Sequence, residues 1–123
     1  MANMKTFLQL LEAMDPAGPY YRYVHNNGAG LMNNQALDYM KLSDEEEAEV
    51  VDGYTGLQQP TSARVPAGAI FAFTEEGRRK HARLLNLLKK ASKYGVRVSR
   101  LPAAKYDVIW VSSDGQVALL PKG

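Results

Sequence analysis

A dense run of basic side chains in the second half of the chain is the first candidate for chemistry. On a predicted helix over residues 74–94, most of these side chains lie away from a leucine stripe and would form a solvent-facing row. Such a row neutralises phosphates without reading base sequence. No aromatic residue is interleaved with it, so base stacking is not expected. The seven residues predicted for this basic face are Arg78, Arg79, Arg83, Lys89, Lys90, Lys93 and Arg97.

A second candidate is the aromatic segment from Tyr20 to His25, which has the composition of a β-strand. Alternation along a strand would place Tyr21, Tyr23 and His25 on one face and Arg22 on the other. Aromatic rings beside an imidazole can line a pocket. The alternative is a half-buried strand whose tyrosine rings only pack.

Other chemistries find little support in the sequence. The chain has no cysteine, which excludes disulfides, thiol catalysis and Cys-ligated metals. His25 and His81 are the only histidines and are not at metal-ligand spacing, so we expect no metal site. No phosphate loop, dinucleotide fingerprint or nucleophile elbow is present, and no cofactor is expected.

Charge is distributed unevenly along the 123 residues, although the net charge is only +2. Residues 1–77 carry four basic against eleven acidic side chains, a net −7, whereas residues 78–123 carry eleven against two, a net +9. This asymmetry has two interpretations. Either the basic half binds a polyanion, or the two halves fold against each other and cancel.

Hydrophobic periodicity predicts an α+β fold in a single domain over residues 1–123, with a mixed sheet of about five strands covered by three to four helices. Helices are predicted over residues 4–14, 33–41, 44–53 and 74–94, and strands over 20–25, 70–73, 96–101, 105–112 and 116–120. The strands on either side of the 74–94 helix are expected to pair in parallel.

Local signals mark several element ends and core positions. Ser43 and Glu46 have the spacing of a helix-capping box, and residues 113–115 form a hairpin turn. Residues 53–69 are rich in Gly, Pro, Ser and Thr and are predicted to be a long loop. The predicted core residues are Phe71, Leu84, Leu88, Ile109 and Val111.

The N-terminal segment resembles a known class of targeting peptide. Residues 1–14 are predicted to hold an amphipathic helix, and Met4-Lys5-Thr6-Phe7 with the triplet Leu10-Leu11-Glu12 resembles the capsid-targeting peptides of internal head proteins in T-even-like phages. Small proteins of marine tailed phages have similar openings. The resemblance covers ten residues, and Met1-Ala2-Asn3 precedes it. It implies a phage accessory protein whose N-terminal segment is removed by cleavage.

Two further resemblances lie around residues 69–79. The strand and helix start at residues 69–77 are similar to a segment of ADP-ribosyltransferase-like domains, which implies catalysis by Arg22 or His25 with a late acid. No glutamate follows Glu76, so Asp107 or Asp114 would have to take that role. Residues 73–79 resemble the wing-to-helix segment of winged-helix regulators, but the helix predicted before them is acidic.

These observations favour a non-enzymatic interaction domain that binds a protein or polyanionic partner, encoded by a phage. The alternatives are a small ADP-ribosyltransferase-like enzyme and a nucleic-acid-binding accessory protein. No membrane-spanning run or signal peptide is recognisable, so the expected location is the cytoplasm, or the virion interior if the protein is phage-encoded.

Overall fold

The computed structural model describes residues 17–58 and 65–123, which form one α+β domain with a five-stranded sheet. The predicted class and strand number are confirmed. The strands are β1 (Tyr20–His25), β2 (Ile70–Phe73), β3 (Val96–Leu101), β4 (Tyr106–Val111) and β5 (Gln116–Pro121). The helices are α1 (Asp44–Gly56), α2 (Glu75–Lys80) and α3 (Ala82–Ala91). The predicted helix over residues 4–14 and its targeting triplet lie outside the described residues.

The sheet is antiparallel throughout the described residues, so the predicted mixed pairing is wrong. Its strand order is β3-β1-β2-β5-β4. β1 pairs antiparallel with both β2 and β3, which are therefore parallel to each other but not neighbours. β1 lies between β2 and β3 and makes the backbone hydrogen bonds that those two strands would otherwise have made with each other. Such long-range pairing is not visible in the local sequence pattern.

A short connection joins the two edge strands, so the sheet cannot be flat. Four strand spacings would separate β3 from β4 by about 19 Å in a flat sheet. The connection runs from Pro102 to Lys105, and Ala103–Lys105 form a 3-10 turn that shortens its reach. On one face of the sheet, Tyr20, Val117 and Leu119 are buried against Leu101 and other side chains near the connection.

The helices cover the other face of the sheet. Ser43 caps α1 by accepting from the Glu46 amide, and the Glu46 carboxylate accepts from the Ser43 amide, so the predicted capping box is confirmed. α1 continues to Gly56, so it takes up the first four residues of the predicted 53–69 loop, of which residues 59–64 lie outside the described part. Residues 33–41 form two 3-10 turns, Asn34–Ala36 and Tyr39–Lys41, instead of the predicted helix.

The predicted long helix over residues 74–94 is divided at His81. His81 has φ −102° and ψ 18°, outside the helical region, and separates α2 from α3. Its Nε2 lies 2.8 Å from the carbonyl oxygen of Asp114 and donates to it. The tight turn between β4 and β5 therefore anchors the break, and α3 ends at Ala91 rather than at Tyr94.

The core predictions are partly confirmed. Leu84 and Leu88 are buried between α3, α1 and the sheet, with Leu88 fully inaccessible. Phe71 is 49% exposed, so its prediction is wrong. It faces the helix side of the sheet, beyond the area that the described helices cover. Ile109 and Val111 are only half-buried, because β4 is an edge strand. No helix in the described ranges is both long and apolar enough to span a bilayer.

Candidate binding groove

Packing divides the predicted basic face into two sides with different surroundings. Arg83 and Lys90 lie toward α1, whereas Arg78, Arg79 and Lys89 line a cavity of about 440 Å³ between α2, α3 and the strands β1 and β3. We call this cavity the groove. The division follows from helix geometry, because residues 3 or 4 apart share a face and their neighbours in sequence do not.

The side toward α1 is neutralised within the molecule. Arg83 Nε lies 2.7 Å from a carboxylate oxygen of Glu49, and Lys90 Nζ lies 2.9 Å from Glu46 Oε1. Hydrogen bonds from the Ser43 amide and from Lys90 lower the pKa of Glu46 to about 2. One of the two interpretations of the charge asymmetry was that the acidic and basic halves pair with each other. It is confirmed for Arg83 and Lys90.

On the groove side, cations lie over aromatic rings. The Arg78 guanidinium carbon is 4.0 Å from the centroid of the Tyr21 ring, and Lys89 Nζ is 5.3 Å from the centroid of Tyr23. Burial raises the pKa of the Tyr23 hydroxyl, against the opposite effect of Arg78. Both distances are within the range of cation–π attraction, which holds the cations beside the sheet.

One acid accompanies the three cations of the groove. Glu75 lies 3.5 Å from Arg78 Nε and 3.4 Å from Arg79 Nε, so a single carboxylate is shared by two guanidinium groups. Lys89 makes no salt bridge among the described residues. Arg100 is exposed and pairs across the strands with Tyr21, which places it on the same side of the sheet. The groove is therefore net positive.

Apolar and amide groups complete the groove. Val98 on β3 is 40% exposed and lies beside Tyr23, its cross-strand partner. Ala82 contributes exposed apolar surface from α3, with the buried Leu85 behind it, and the exposed Asn86 contributes a side-chain amide. The arrangement joins an apolar floor to a cationic wall, which suits an anion that carries an apolar part.

The last two residues of the predicted basic face lie outside the groove. Lys93 follows α3 and is exposed. Arg97 is exposed on β3, but alternation turns it to the opposite side of the sheet from Val98. Neither makes a salt bridge with any residue that the structure describes.

The two candidate catalytic residues are not brought together. His25 is fully buried, its Nε2 donates to the Leu31 carbonyl at 2.9 Å, and its Nδ1 accepts from the Ser92 hydroxyl at 2.7 Å. These bonds join the end of β1 to two neighbouring segments. Arg22 is half-buried and alternates to the opposite side of β1. The acid in the cleft beside β1 is Glu75, not the late acid that the ADP-ribosyltransferase resemblance needs.

The late acid Asp114 belongs to a buried polar network at the β4–β5 turn. Its carboxylate accepts hydrogen bonds from the backbone N–H of Gln58 at 3.0 Å, from the side-chain amide of Gln116 and from the Ser112 hydroxyl. Burial alone would raise the pKa of Asp114, but these hydrogen bonds together with His81 lower it. The network fixes the turn against the segment that follows α1. Asp107 is exposed on β4.

Sequence reasoning missed the aromatic contribution to the groove. Strand alternation correctly placed Tyr21 and Tyr23 on one face, but it did not show that the basic helix crosses that same face. No aromatic residue is interleaved with the cations along the chain, but two tyrosine rings lie beneath Arg78 and Lys89 in the folded protein.

Over the described parts of the chain, no group of three or more His, Asp or Glu side chains is arranged to hold a metal ion. Comparison with family models, with curated proteins and with solved structures found no match to the chain.

Proposed function

We propose that the protein is a non-enzymatic binding domain that takes a polyanionic partner in the groove. The observation that carries this proposal is the position of Arg78 over Tyr21 and of Lys89 over Tyr23. Arg79 lies next to them, and Glu75 is the one carboxylate that pairs with these cations among the described residues. Cations that are held on aromatic rings lose less conformational entropy when an anion binds than free surface lysines do.

The same reasoning removes part of the predicted basic face from the proposed site. Arg83 and Lys90 each have a carboxylate of their own, so an anion would have to compete with Glu49 and Glu46 for them, whereas Arg78 and Arg79 share the single carboxylate of Glu75. Lys89 and Lys90 are adjacent in sequence, both exposed and equal in charge, but only Lys90 is paired. These two lysines therefore provide a matched test of the groove.

The test is a fluorescence-anisotropy titration of a labelled 12-nucleotide oligothymidylate at several salt concentrations, starting near 50 mM. Three groove contacts predict a slope of log K against log salt of about −2, since each neutralised phosphate of a single strand contributes about −0.7. Lys89→Ala is expected to weaken binding several-fold and to flatten the slope by about 0.7. Lys90→Ala changes the net charge by the same amount and is expected to leave the slope unchanged.

Two results would contradict the proposal. The absence of binding by the wild-type protein at high micromolar concentration would remove polyanions from the list of partners. Equal effects of the two lysine variants would show that binding depends on overall charge rather than on the groove.

Phage origin remains a prediction that depends on residues 4–13, which lie outside the described residues. If it is right, the polyanion-binding domain serves as an accessory protein in the host cytoplasm or the virion interior. The alternative is that the groove binds a protein partner. The titration with oligothymidylate tests the polyanion against this alternative.

A further inference from the structure

We infer that the groove binds a nucleoside phosphate unit, with the base on the apolar floor and the phosphate against the cationic wall. This inference rests on the proposed function and names the class of anion. It follows from three properties of the groove: an apolar floor, an amide with no hydrogen-bond partner among the described residues, and cations at the edge of that floor. A purely ionic partner would use only the cations.

The apolar floor is the first of these properties. Val98 is 40% exposed where it lines the groove beside Tyr23, and the exposed Ala82 continues the apolar surface on α3. Exposed apolar surface in a concave site gains free energy only when an apolar group covers it. A flat base covers such a floor, whereas an inorganic polyanion leaves it hydrated.

The second property is the free amide of Asn86. Its side chain is exposed on α3, lines the groove and makes no hydrogen bond among the described residues. A side-chain amide offers a donor and an acceptor side by side, which matches the alternating donors and acceptors on the edge of a base. The carboxylates of an acidic peptide present acceptors only, so they can accept from the NH2 group of the amide but cannot donate to its carbonyl oxygen.

The third property is the position of the cations relative to the floor. Arg78 lies against Tyr21 and Lys89 against Tyr23, so both charges stand at the border between the apolar floor and solvent. A nucleoside phosphate has the same order of parts, a flat ring at one end and a phosphate at the other. The cavity of about 440 Å³ lies within the usual size range for small-molecule sites.

A free nucleotide and one unit of a single strand share this chemistry. The exposed Arg100 lies on the groove side of the edge strand β3, where a strand leaving the groove would meet a further cation. Paired bases in a duplex are stacked inside the helix and do not reach a floor of this kind.

The experiment compares four probes on the full chain: a mononucleotide, a 12-nucleotide single strand, a duplex of the same length and inorganic polyphosphate. Asn86→Ala is expected to weaken binding of the mononucleotide and the single strand about fivefold, as the loss of one hydrogen bond predicts. The same variant is expected to leave polyphosphate binding unchanged. Val98→Thr keeps the side-chain shape, adds a hydroxyl to the floor and is expected to have the same selective effect.

Val51→Thr serves as the matched control, because Val51 is also exposed but lies on α1, away from the groove. Urea unfolding midpoints equal to that of the wild type show that each variant is folded. A mononucleotide that binds as tightly as the single strand identifies a free nucleotide as the ligand, and tighter binding of the single strand identifies the polymer. Either result supports the inference.

Polyphosphate or duplex that binds as tightly as the single strand, with Asn86→Ala and Val98→Thr without effect, would overturn the inference and leave the proposed function standing. The failure of all four probes to bind would overturn both. The two failures are distinguishable, because every probe stays unbound only in the second.

Discussion

Replacing Gly77 by alanine tests how closely α2 packs on the β4–β5 turn. A Cβ atom at position 77 would overlap the carbonyl oxygen of Gly115 and would lie 2.6 Å from its carbonyl carbon. Both are backbone atoms and cannot rotate away. Gly115 has φ +89°, a conformation that favours glycine, so the turn has little freedom to adapt.

The magnitude follows from opposing effects. Alanine within a helix is favoured over glycine by about 1 kcal/mol. Against this, forcing extra atoms into a packed contact costs about 1–3 kcal/mol. Moving the turn away would also weaken two hydrogen bonds, from the Thr74 amide to Gly115 at 2.9 Å and from His81 to Asp114 at 2.8 Å. Each such bond contributes about 1 kcal/mol, so the expected net loss of stability is about 2–4 kcal/mol.

The assay is equilibrium unfolding in urea at neutral pH. With a typical slope of about 2 kcal/mol per molar urea, Gly77→Ala is expected to lower the midpoint by about 1–2 M. Gly56→Ala is the control, because Gly56 is also helical, has no positive φ and has no neighbouring atom within 4 Å of the place that a Cβ atom would occupy. Its midpoint is expected to stay the same or rise. A Gly77→Ala midpoint at or above that of the wild type would refute the close contact between helix and turn.

Two further predictions concern the core and the capping box. Leu88 is fully buried, so Leu88→Ala is expected to lower the free energy of unfolding in urea by about 2–5 kcal/mol. Met40 is 94% exposed, and Met40→Ala is expected to change that free energy by less than about 0.5 kcal/mol. Equal unfolding midpoints for the two variants would contradict the packing of α3. The pKa of Glu46 is lowered from 4.5 to about 2 by the Ser43 amide and Lys90, so its contribution to stability is complete above about pH 4.5 and is lost as the pH falls through about 2. The midpoint difference between wild type and Glu46→Gln is therefore expected to shrink from pH 6 to pH 2.5, and a constant difference would contradict the assignment.

The local signals in the sequence predicted most of the elements. Ser43 and Glu46 began α1, and the Ser113-Asp114-Gly115 turn joined β4 to β5, because both motifs act through hydrogen bonds and backbone angles within a few residues. Alternation also placed Tyr21 and Tyr23 on one face of β1. These signals established the α+β class and the number of strands without knowledge of any long-range contact.

The candidate site required the tertiary structure. Whether a cation on α3 meets an acid or a tyrosine depends on how the helix is rotated about its axis, and packing against the sheet and α1 decides that rotation. Lys90 meets Glu46 and Lys89 meets Tyr23, although the two lysines are neighbours in sequence and chemically identical. The insertion of β1 between β2 and β3 brings the tyrosines under the basic helix. Sequence alone determined that basic side chains are concentrated over residues 78–93, and only long-range packing decided which of them pair with acids.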